Sequence, residues 1–143
     1  MDVNVKGTFF CTQAALPALR QTNGSIVNVA SIAGLNGYAH ETVFGAAKAA
    51  VINLTRAMAV ELAPRVRVNC VCPDIVNTDS AQAFVAAAED PEAYQIMQNA
   101  AIPLKRIANP QEVSEAILFL ASQKSAYITG VALPIDGGKS LGK

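Results

Sequence analysis

The chain is poor in the residues that hold metals and in charge of any one sign. It has a single histidine, His40, and three cysteines, Cys11, Cys70 and Cys72. One histidine leaves no zinc site of ordinary His/Cys spacing, so no metal is expected. Three cysteines do not make a disulfide framework, and Cys70 and Cys72 stand two apart in a β-rich run. That spacing points both thiols to one side of a single strand, as buried free cysteines. Charged residues make up only 15% of the chain, and its 11 basic and 11 acidic side chains sum to zero. With no run of like charge, there is no footprint for nucleic acid or for an anionic membrane surface. No uninterrupted apolar stretch approaches a membrane span and no signal peptide opens the chain, so a cytoplasmic setting is expected.

What is present is apolar: 52% of the residues are hydrophobic, enough for a dense core in one domain over residues 1–143. Helical periodicity runs from about Val3 to Leu19, with Pro17 expected to kink or end it. "NGSIVNVAS" reads as a turn and a short buried strand, about Ser25 to Ser31. A glycine-containing loop leads to a long alanine-rich helix over Thr42 to Leu62. "RVRVNCVCP" is a second strand, stopped by Pro73. Looser helical stretches follow, around Ser80–Ala88 and Pro91–Ala100. Asn109, Pro110 and Glu112 then supply the cap, first position and capping-box acid of a helix. Its apolar stripe is Val113, Ala116, Ile117, Leu120 and Ala121. "GVALPIDGG" closes with a third strand and a glycine turn. Strands alternating with helices give an α/β fold, a parallel sheet with helices on both faces.

Five motifs in order carry a family likeness. "NVKGTFFCTQAALP", "GSIVNVASIAG", Phe44 with Lys48, "VRVNCVCPDIVNTD" and "RIANPQEVSEAILFLASQKSAYITGVALPIDGG" resemble the second half of a short-chain dehydrogenase/reductase. The resemblance spans nearly the whole chain. It implies a truncated Rossmann-like (doubly wound) fold of three parallel strands. It places the family's asparagine at Asn4, its catalytic serine at Ser31, its tyrosine at Phe44 and its lysine at Lys48. The family's opening strand and glycine-rich phosphate loop have no counterpart here, and "GLNG" lacks their pattern. Met1 then reads either as the natural start or as an internal methionine used as one, in a truncated gene or a cloned fragment.

Two substitutions bear on the chemistry that the resemblance implies. Phe44 has no hydroxyl to donate or accept a proton at a carbonyl oxygen, a role worth ~100- to 10,000-fold. Asp74 stands where the family has the glycine of a Pro-Gly loop that touches nicotinamide, although Thr78 matches the family's threonine. No cofactor is expected on the chain alone. The first expectation is thus a fragment or pseudoenzyme without hydride transfer. It would self-associate, since a first strand without an inner neighbour presents a free edge.

A second expectation is a hydrolase working from the carboxyl ends of the strands, where open α/β sheets bind ligands. Ser31, Lys48, His40, Glu41 and Asp74, with Asp79 nearby, would line that cleft. Two carboxylates serve glycoside hydrolysis, at ~5–5.5 Å for retention and ~6.5–9.5 Å for inversion. Ser31 with Lys48 would instead be a nucleophile and base for ester hydrolysis, without a nucleophile elbow. The third expectation is a split reductase that borrows a nucleotide-binding half. Plainer readings stand beside these: Glu41 as a helix-dipole partner, Asp74 as a turn residue and His40 as an exposed loop side chain. Likewise Ser31, Lys48 and Asn4 read as remnants, and Phe44 as core filling.

Overall fold

The computed structural model describes residues 1–141. A π-helical turn, Asp2–Gly7, runs into α1, Thr8–Thr22. Then come β1 (Ser25–Val29), a 3-10 turn (Ile32–Gly34), α2 (Thr42–Leu62) and β2 (Arg67–Pro73). Two helices, α3 (Asp79–Ala86) and α4 (Pro91–Ala101), precede α5 (Pro110–Ala121), and β3 (Ala132–Ile135) ends the sheet. The three strands are parallel in the order β1-β2-β3, with Val27 opposite Asn69 and Val71 opposite Leu133.

Residue alternation on β2 explains the layers. Val68, Cys70 and Cys72 point to one face, where they meet Val51, Ile52, Met58, Ala59 and Leu62 of α2. Leu16 and Leu19 of α1 pack on the same cluster. On the other face, Arg67 donates to the Leu120 carbonyl at the end of α5, and Ser25 of β1 reaches the same oxygen. Asn69 is fully buried there and bridges the chain before β3, donating to the Ile128 carbonyl and accepting from the Val131 N–H. Both cysteines lie on one side of β2, as their spacing predicts.

Four expectations need correction. Pro17 does not end α1, which continues to Thr22. Pro17 and Gln13 are both exposed, so water can replace the N–H that the Gln13 carbonyl loses. Asn23, at φ 50°, makes the stop instead, its N–H bonding the Leu19 carbonyl. β1 ends at Val29, not Ser31, because the Ser31 hydroxyl turns to accept from the Ala33 N–H and caps the 3-10 turn. Phe44 is 45% exposed and fills no core. Finally, α2 does have the length and apolar composition of a membrane span, with a mean hydropathy of 1.3. Lys48, Arg56 and Glu61 punctuate it, and its apolar face is occupied by β2.

Candidate functional site

The carboxyl ends of the strands bring three polar segments together. Ser31 follows β1, Asp74 follows β2, and Lys139 follows the glycine turn after β3. With Glu41, Phe44 and Tyr38 they line a cavity of about 230 Å³. Asp74 also borders a second cavity of about 300 Å³, walled by Ile102, Arg106, Glu112 and Asp136. The Asp74 side chain therefore stands between the two.

Asp74 is not a free carboxylate. Lys139 Nζ lies 3.0 Å from both of its oxygens, and the two side chains are only 12% and 19% exposed. Oδ1 receives the directed hydrogen bond. Oδ2 is buried and off the donor direction, close to the ammonium but without a hydrogen bond of its own.

Lys48 points elsewhere. Its ammonium donates to the Val29 carbonyl at 3.0 Å and stands 5.6 Å from the Phe44 ring centroid. Partial burial pulls its pKa below the usual lysine value, against the opposing pull of Cys72. The Ser31 hydroxyl is turned to the Pro73 carbonyl at 3.4 Å. Hence no hydrogen bond joins Ser31 to Lys48, and the nucleophile–base pairing suggested by sequence is not formed in this arrangement. Cys72 shares a hydrogen bond with Cys70 and is buried, so its thiol is held far above the ordinary cysteine range as a core group.

The remaining candidates are dispersed. Glu41 reaches the cavity from the start of α2. His40 is exposed with φ 67° and lies outside the cavity lining. Asp79 is exposed in the first turn of α3, where Thr78 caps the helix by accepting from the Ala81 N–H. Asn4 sits in the Asp2–Gly7 turn, its carbonyl bonded by Thr8. The structure thus gathers Ser31, Glu41 and Asp74 and leaves out Lys48, His40, Asp79 and Asn4. Lys139 was missed by sequence reasoning. Its one local signal was the "DGGK" turn, which folds it back over the strand ends.

That turn is organised by Asp136, which is nearly buried and accepts from the Gly138 and Ser140 N–H groups at 2.9 and 2.8 Å. Burial pushes its carboxyl up. Bonds from Ser140 and Gly138 outweigh that and leave it below the ordinary aspartate range. A lowered folded-state pKa means stability is present above the unfolded value and lost as pH falls through the folded one. Urea midpoints measured from neutral pH to below the aspartate range should fall, and Asp136→Asn should flatten that acid limb.

The glycines nearest the strand ends are close-packed. The Gly34 N–H is taken by the Ser31 carbonyl, and a Cβ at Gly34 would meet the α2 backbone at 2.6 Å. Gly137 and Gly138 lean on Ile102 and Pro103. Among the described residues Gly34, Gly137 and Gly138 are therefore packing positions.

Residues 1–140 match the family model described as enoyl-(acyl carrier protein) reductase. The chain is 43% identical over 140 residues to the 3-oxoacyl-[acyl-carrier-protein] reductase FabG of Thermotoga maritima, covering 96% of itself and 54% of that protein. Among solved structures, ElxO with NADP bound superposes with a TM-score of 0.89 at 34% identity, over 97% of this chain and 56% of that one. A tyrosine-to-phenylalanine variant of ElxO with NADPH bound gives 0.88 at 35% identity, with the same coverage. The chain spans about half the length of the relatives it matches.

Proposed function

Because this chain belongs to the short-chain dehydrogenase/reductase family, we propose that it is the substrate-side half of such an oxidoreductase and performs no hydride transfer by itself. One observation carries this reading. Phe44, between Ser31 and Lys48, presents a ring without a hydroxyl to the cavity, and Lys48 has turned to a backbone carbonyl. A proton for a carbonyl oxygen then has no donor at that position. On this reading the chain is a fragment or pseudoenzyme that acts through what it assembles with, including copies of itself. The test is NADPH and NADH consumption by the purified chain over a panel of ketones and β-ketoacyl thioesters. No turnover is expected with either nucleotide, and turnover with any substrate sinks the proposal.

A second reading, glycoside hydrolysis, is favoured by Glu41 and Asp74 both lining one cavity. The Asp74–Lys139 pair weighs against it, because that carboxylate is already engaged. Chromogenic glycosides offered without nucleotide decide the matter. Turnover that disappears in Glu41→Gln and Asp74→Asn would establish carboxylate chemistry, and a silent panel removes this reading.

A further inference from the structure

The turn after β3 touches three segments far from it in sequence. Asp136 folds it into a compact unit, since its carboxylate holds the Gly138 and Ser140 N–H groups and its carbonyl accepts from the Lys139 N–H. Three bonds tie that unit down. The Leu104 N–H donates to the Gly137 carbonyl at 3.2 Å, Asn36 Nδ2 donates to the Ser140 carbonyl at 3.1 Å, and Lys139 Nζ meets Asp74 at 3.0 Å. The turn is thus a strap laid from β3 past the end of β2 to the loop that follows β1.

The ties are unequal. The Asn36 bond is neutral and exposed, so water competes for both of its ends. The Leu104 bond is also neutral. Gly137 and Gly138 rest on Ile102 and Pro103 without side chains of their own, which adds little apolar contact. The Asp74–Lys139 bond is charge-assisted and largely buried, which makes it the strongest of the three. The strap also belongs to both cavities. Asp136, Gly137 and Gly138 wall the larger and Lys139 the smaller, while Asp74 and Ile75 wall both.

We propose that the Asp74–Lys139 pair is a latch on this strap, and that its release joins the two cavities into one site for an elongated, largely apolar ligand. A raised strap carries its own share of wall away, and Asp74, left without its buried partner, turns to water. Ile32, Ile75, Ile102 and Ile135 line the joined space, which is why an apolar ligand suits it. Latched, each cavity takes only a smaller molecule.

Hydrogen exchange and a neutral dye test this together. The Leu104 amide is protected by the strap, the Ser140 amide by the turn's own Asp136, and the Ala30 amide by the sheet. In Lys139→Met the Leu104 amide should exchange about 10- to 100-fold faster, the change expected on losing one charge-assisted bond. Ser140 and Ala30 should keep their parent rates, because the strap rises as a unit. N-phenyl-1-naphthylamine, an uncharged apolar probe, should brighten with Lys139→Met and stay dark with the parent and with Lys139→Arg. Asp74→Ala cuts the same tie from the other side and replaces Lys139→Met if that variant does not fold, with the same outcomes expected. An unchanged Leu104 rate in a folded variant, a Ser140 amide that speeds up with it, or a dark probe overturns the proposal.

Discussion

Phe44→Tyr should raise reductase activity from background to a measurable rate once the nucleotide-binding portion is supplied. The experiment mixes the purified chain with a separately expressed amino-terminal half of the Thermotoga maritima relative and follows NADPH oxidation with a β-ketoacyl thioester. The parent should stay at background. The variant places a phenol in the cavity wall beside Ser31, close to the Lys48 ammonium that now stands 5.6 Å from the ring centroid. A positioned proton donor contributes ~100- to 10,000-fold. Lys48 is committed to the Val29 carbonyl, so the gain should lie at the lower end, about 100-fold. A rate that is equal in parent and variant means that Phe44 is not what silences the chain.

The largest stability loss is expected at Arg67, not in the apolar core. Its guanidinium donates to the Leu120, Ser122 and Ile128 carbonyls at 2.9, 3.0 and 3.2 Å, to the Ser125 hydroxyl at 3.1 Å and to the Ala121 carbonyl at 3.4 Å. These include the last carbonyls of α5, where a cation also meets the negative end of the helix dipole. Arg67→Met keeps the apolar stem but removes the charged donor that ties those acceptors together, leaving them only their neutral partners Ser25, Asn69 and Ser125. The cost should be about 3 kcal/mol, read as a lower urea midpoint with an unchanged slope. Arg106→Met is the control. Its bidentate bond to Glu112 is exposed to solvent, so its removal should change the midpoint far less. Equal losses in the two variants would refute the role given to Arg67.

Local chemistry made α5 readable in advance. Pro110 begins it, and Glu112 bonds back to the Asn109 N–H at 2.8 Å, all within four residues of sequence. β2 was equally plain, because its apolar run is buried on both faces. Where solvent exposure or a competing turn decided the outcome, the sequence misled. Pro17 sits in a helix whose outer side is wet, and Ser31 leaves its strand to cap a turn. Phe44 looked like core and is half exposed, because α2 turns Ala47 and Val51 inward instead.

The sequence by itself determined the alternation of strand and helix, the parallel sheet and the lack of a hydroxyl at position 44. These depend on periodicity, caps and residue identity, which are properties of short segments. Only the tertiary structure decided which polar groups meet. Asp74 and Lys139 are 65 positions apart and touch because β2 and β3 are neighbours in the sheet. Lys48 faces the Val29 carbonyl because α2 lies across the end of β1, and Asn69 finds both of its partners beyond α5. A hydrogen bond is fixed by direction within a few ångströms, and in this chain that direction comes from how the strands and helices pack.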